Sequence, residues 1–155
     1  PFLAFTAEEA WKQFGGSDSF FLETYQTLPA GDAALLAKWQ RLRAIHDAVN
    51  KEIENLRAAG QVGSSLQAAI TLTAPPEDHA LLADLGEDLK FVFIVSTINL
   101  VAGDALQISV TASSDQKCER CWHYRADAGS NPAHPTLCAR CDSNLHGAGE
   151  TRVHA

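Results

Sequence analysis

The sequence predicts an α+β fold in which a long amphipathic helix and a small mixed sheet are followed by a separate cysteine-rich module. Three observations carry this reading. Leu35, Trp39, Leu42, Ile45, Val49, Ile53 and Leu56 recur at helical spacing and form one apolar stripe. Residues 66–73 and 106–110 alternate apolar and polar side chains, the period of a half-buried strand. All four cysteines lie in the last forty residues, and the first 117 residues have none.

Composition sets the outer limits. With 155 residues, 46% of them hydrophobic and 20% charged, the chain has the size and make-up of one globular domain with a small appendage. It has no Met and starts at Pro1 inside an apolar segment, so a piece of a longer chain is expected. Apolar runs such as 91–95 fall far short of the ~18 residues of a membrane span, which points to a soluble, cytoplasmic protein with no membrane partner. The net charge of −7 argues against a basic, non-specific nucleic-acid binder. That charge is uneven: residues 1–114 carry 7 Lys/Arg against 14 Asp/Glu, whereas residues 115–155 carry 5 of each and four of the six histidines.

The elements follow in order. Thr6-Ala7-Glu8-Glu9 reads as a capping box ahead of a short helix with Trp11 and Phe14, ended by Gly15-Gly16. Asp32 is a good N-cap for the long helix, which should run to about Ala59 and stop at Gly60. Its basic residues, Arg41 and Lys51 among them, sit beside acidic ones and suit a solvated face better than a phosphate-facing row. The strand over 66–73 ends at Pro75-Pro76, and 77–85 should form a short helix stopped at Gly86. Residues 88–95 fit a helix or a buried strand equally well. Residues 97–101 and 105–111 read as a hairpin about Gly103-Asp104. His46 and His79 are isolated, no nucleotide-cradling or nucleophile-elbow motif occurs, and no catalytic residue is expected in this stretch.

The cysteines are Cys118, Cys121, Cys138 and Cys141, in the pattern C-x2-C-x16-C-x2-C. Two such knuckles complete a closed tetrahedron of thiolates around one structural Zn²⁺, with no open position for substrate. The intervening residues are rich in Gly, Ser, Asn and Pro, so metal ligation should supply most of this segment's folding energy. Disulfides suit a secreted chain, which this does not resemble. Arg120 and Arg140 each precede the second sulfur of a knuckle, where a guanidinium either screens thiolate charge or reaches RNA. Trp122 is either the small core of the finger or an exposed platform for an unpaired base.

The run Lys117-Cys118-Glu119-Arg120-Cys121-Trp122-His123-Tyr124, with His134-Pro135-Thr136-Leu137-Cys138-Ala139-Arg140-Cys141 and the tail Gly147-Ala148-Gly149-Glu150, resembles the C-terminal zinc finger of bacterial isoleucyl-tRNA synthetases. The resemblance extends upstream through Phe91–Ser96 and residues 41–69, and Pro1–Trp11 resembles the end of that family's helical anticodon-binding domain. It implies three parts: 1–30 as a remnant of the anticodon-binding domain, 31–114 as an α+β junction domain and 115–155 as the finger. It further implies a monomeric, ATP-dependent class I ligase whose partners are the anticodon region of isoleucine tRNA and the remaining domains of the parent synthetase. The HIGH-like and KMSKS-like motifs are not in these residues, so activation and editing belong elsewhere. By position, Arg120 and Trp122 are the leading candidates for base contact, with His123, Arg140 and Arg152 as further tRNA candidates. Formamidopyrimidine-DNA glycosylases end in a related finger, and a purely structural zinc knob is a third possibility; the first would need a helix-two-turn-helix before the finger, the second a buried Trp122.

Overall fold

The computed structural model describes residues 3–151. The chain divides into two compact units, Pro1–Asp32 and Ala33–Ala155.

The first unit holds helix α1 (Ala4–Gln13) and a 3-10 turn at Phe20–Leu22. The Glu8 carboxylate accepts from the Ser19 hydroxyl and the Phe20 N–H, at 3.1 and 2.9 Å. The Trp11 and Phe20 rings meet edge to face at 5.9 Å. Gly16 passes so close to the indole that a Cβ would lie 2.1 Å from Trp11 Nε1. The expected capping box does not form. The Ala7 N–H already donates to Leu3 O at 2.7 Å, which places Thr6 inside the helix and the cap position at Leu3, with no side-chain cap.

In the second unit, α2 (Ala33–Ala58) starts directly after Asp32 and stops just before Gly60, whose φ of +70° suits a helix end. Leu42, Ile45, Val49 and Ile53 are buried as the stripe predicts, whereas Leu35, Leu36 and Trp39 in the first two turns are exposed. The helix packs on a three-stranded sheet of β1 (Ala68–Ala74), β2 (Thr97–Ala102) and β3 (Gln107–Ala112). Between β1 and β2 the chain forms α3 (Pro76–Ala83) and the single turn α4 (Leu89–Val92), so the ambiguous 88–95 segment is helical over Leu89–Val92 and passes into a turn at Phe93 and Ile94. Leu82, Leu85, Leu89 and Phe93 from this crossover complete the core with Ile70 and Leu72 of β1. Arg41 grips the buried Asp78 with two hydrogen bonds, of 2.7 and 2.6 Å, and so ties α2 to α3.

The hairpin expected about Gly103-Asp104 is not what the chain builds. The strand order is β2-β1-β3, with β2 parallel and β3 antiparallel to β1. The turn signal is genuine, but β1 buries Ala68, Ile70, Leu72 and Ala74, while β2 and β3 have no fully buried residue. The more apolar strand takes the centre, and the 103–106 connection crosses its end. Gly103 donates its N–H to Ala74 O at 2.9 Å, and a Cβ there would stand 2.4 Å from Thr73 Cγ2.

The finger is joined to this core rather than hung from it. Ser96, only 5% exposed, donates its hydroxyl to Leu66 O and accepts the Tyr124 N–H at 2.6 Å. The finger itself comprises the short ladder of β4 (Gln116–Lys117) with β5 (Tyr124–Arg125), then α5 (Ala139–His146).

Candidate metal centre and RNA-facing surface

The β4-β5 ladder closes the first knuckle between its strands. Lys117 pairs with Tyr124, the Cys118 N–H donates to His123 O at 2.9 Å, and the Trp122 N–H donates to Cys118 O at 2.9 Å. The second knuckle is the start of α5: Cys138 occupies the N-cap position and Cys141 the first turn. Cys118, Cys138 and Cys141 are fully buried and Cys121 partly so.

The four sulfurs lie within 4.8 Å of one another, and Cys121 Sγ is 3.8 Å from Cys138 Sγ. A tetrahedron with ~2.3 Å zinc–sulfur bonds has an edge of ~3.8 Å, so the donors stand nearly where zinc needs them. Their electrostatics agree. Burial and the neighbouring sulfurs push the Cys121 and Cys138 thiols up. Burial acts on Cys118 in the same sense, but the N–H groups of Cys121, Cys138 and Arg120 outweigh it and bring that thiol down to about 6. The Cys118 sulfur ionises most readily, and Cys121 and Cys138 need a cation before they follow, which is the chemistry of a structural zinc site.

The other candidate residues fall in different surroundings. Arg120 is exposed, with Nη1 3.5 Å from Cys141 Sγ, close enough to screen the thiolates. Trp122 is 60% exposed and has a φ of +65°, a left-handed conformation that a bulky residue rarely adopts. Lys117 Nζ lies over the indole, 5.4 Å from its centroid. His123 turns inward: its ring meets Phe91 edge to face at 5.5 Å and its Nδ1–H donates to Cys121 O at 3.2 Å. Burial lowers its pKa, which keeps the ring neutral. Arg140 bonds Glu150 and stacks over Phe91 at 4.7 Å, holding the finger to α4. Arg152 lies outside the described residues. A cleft of about 460 Å³ beside Ser96 has five charged residues in its lining, of which four pair off as Lys90–Glu87 and Arg125–Asp127 and the fifth is Asp115.

Residues 115–144 match the family described as "Zinc finger found in FPG and IleRS", and residues 1–72 match "Anticodon-binding domain of tRNA ligase". The finger family alone does not separate a synthetase from a glycosylase. Matches to whole proteins do: the chain is 53% identical over 165 residues to an isoleucine–tRNA ligase of Cupriavidus pinatubonensis, with all of the chain covered. The chain belongs with the C-terminal region of the isoleucine–tRNA ligases. Further ligases, from Thiobacillus denitrificans and Bordetella parapertussis, are each 50% identical and again cover all of the chain. The chain spans 17–18% of the length of these three ligases. Within that family the Cys118, Cys121, Cys138 and Cys141 cluster is the finger's site for one zinc. The structure adds two features that residue spacing could not: the strained backbone of Trp122, and the inward rotation of His123 onto Phe91.

Proposed function

We propose that this region engages the anticodon side of isoleucine tRNA as the C-terminal part of an ATP-dependent, monomeric, cytoplasmic class I isoleucine–tRNA ligase, in which other domains of the parent chain carry activation and editing. In this reading residues 1–30 continue a helical anticodon-binding domain, 31–114 form the junction and 115–155 the finger. The observation that carries the reading is Trp122, an aromatic held out in solvent on a left-handed backbone. Such strain persists where the surrounding structure enforces it, and here the zinc knuckle does so. An exposed indole beside Arg120 and Lys117 suits an unpaired base with its flanking phosphate: the ring stacks, and the two cations answer the backbone charge. His123 and Arg140 serve the same surface from beneath, by fixing the knuckles against Phe91.

The test titrates a labelled isoleucine tRNA anticodon stem-loop with the zinc-loaded chain and with Trp122→Ala, at fixed salt. Loss of the stacking platform weakens binding by ~1 kcal/mol or more. Equal affinity of the two proteins, or preference for a damaged-base DNA duplex, overturns the reading.

A further inference from the structure

At α5 and the loop before it, a second group of metal-ligating side chains converges that the four-thiolate site does not use. Asp142 and His146 are four residues apart on α5 and so share one face of the helix. His134, from the loop before the second knuckle, lays its ring on that of His146 with centroids 3.8 Å apart and planes 12° from parallel. His134 Nδ1 is 2.5 Å from Asp142 Oδ1. One donor atom from each of the three lies within 4.8 Å of the others, and the group is open to solvent at His146. The remaining oxygen of Asp142 is already engaged: Asn131 Nδ2 donates to Oδ2 at 2.9 Å and fixes the carboxylate plane.

We propose that His134, Asp142 and His146 form a second, exchangeable binding site for a borderline divalent cation of the zinc class. Two imidazoles and one carboxylate are a donor set for Zn²⁺, Ni²⁺ or Cu²⁺ rather than for Mg²⁺ or Ca²⁺, which prefer oxygen throughout. Asn131 supplies the outer-shell hydrogen bond that orients a ligating carboxylate. The cation takes the place of the proton on His134 Nδ1, which moves by way of solvent to Nε2, so the imidazole binds as the neutral ring. The nitrogen and oxygen then open from hydrogen-bonding distance to the ~3.4 Å edge set by tetrahedral metal–ligand bonds of ~2.1 Å. Three protein donors leave positions for water, so this ion exchanges freely while the thiolate-bound zinc stays. Bound there, it ties the 131–134 loop to α5 by a link independent of the sulfurs.

The proposal is tested on the full chain loaded with one zinc, by calorimetric titration with Zn²⁺ and by counting bound metal after dialysis against zinc-containing buffer. A second equivalent is expected, with the imidazole NMR signals of His134 and His146 shifting and that of His79 unmoved. His146→Ala removes an exposed ligand at the end of α5, and Asp142→Asn keeps the shape while weakening the donor; each should lower the second affinity at least tenfold and leave the first zinc in place. His79→Ala should leave both unchanged. A stoichiometry of one up to millimolar free zinc, or a second equivalent that survives both cluster variants, overturns it.

Discussion

Replacing Ser96 by Ala tests how firmly the finger is built into the α+β core. The hydroxyl makes two hydrogen bonds at once, donating to Leu66 O and accepting the Tyr124 N–H, and it is nearly sealed from water. Ser96→Ala leaves a carbonyl at the entrance to β1 and an amide at the start of β5 without this partner. Each orphaned group in such surroundings costs about 1–3 kcal/mol. Tyr124 is only half-buried, so its amide recovers part of its loss from water, and the sum expected is about 2–4 kcal/mol. Urea unfolding of the zinc-loaded chain should show a lower midpoint at unchanged slope. Hydrogen exchange adds the local signature: the Tyr124 amide should lose protection well beyond the global change, while amides of α2 follow the global change alone. A stability loss below about 0.5 kcal/mol, or a Tyr124 amide that exchanges as before, would show that Ser96 does not join the two parts.

Gly103→Ala places a methyl group on Thr73 Cγ2 and should destabilise by about 1–3 kcal/mol in the same unfolding assay; no effect would argue against a connection that crosses the end of β1. Trp122→Gly relieves a left-handed backbone and should raise stability by about 1 kcal/mol, while stem-loop affinity falls; a large loss of stability would instead mark the indole as core. The hydrogen bonds from Arg41 hold the Asp78 carboxyl below the usual carboxylate range. The stabilisation this brings is complete above the unfolded value of ~3.9 and disappears as pH falls through the lower folded one. Wild type should therefore lose stability relative to Arg41→Met as pH falls through the unfolded value of ~3.9 and on through the lower folded one, and parallel curves would refute the pair's role. Chelation of zinc should abolish amide protection across 116–146 and leave that of α2 and the three-stranded sheet; retention of the finger's protection would contradict metal-driven folding.

The sequence made some of this legible and hid the rest for definite reasons. Helix α2 was readable because a single period of apolar residues spans more than five turns, and its end carries a glycine at the required backbone angle. The four cysteines were readable because C-x2-C-x16-C-x2-C is the spacing of a structural zinc site and nothing in the chain resembles a secreted, disulfide-bonded one. The sheet order was not, because Gly103-Asp104 satisfies local hairpin rules while the decision between hairpin and crossover rests on which strand buries most apolar surface, a non-local competition. The start of α1 was misplaced because Thr6 has the chemistry of a cap but the preceding turn closes first. At the finger, position in the family string ranked Arg120 and Trp122 ahead of Arg140 and His123, but residue types left open which of them face solvent and which are engaged. That distinction depends on Glu150 and Phe91, ten and more than thirty residues away, which occupy the latter pair.

The central position of β1 also sets the order of events as the chain folds. Its parallel partner begins 28 residues downstream, with Ala69 opposite Thr97, and its antiparallel partner later still, with Ala68 opposite Ala112. Neither edge can form by local zipping, and each requires a long loop to close first. Helix α2, held by contacts three and four residues apart, can form in about a microsecond. On a ribosome, β1 therefore leaves the exit tunnel with both edges bare, one until β2 has emerged through Ala102 and the other until β3 has emerged through Ala112. The helix made before it is the first surface on which that apolar strand can be sheltered, and α3 and α4 join it before either edge is paired.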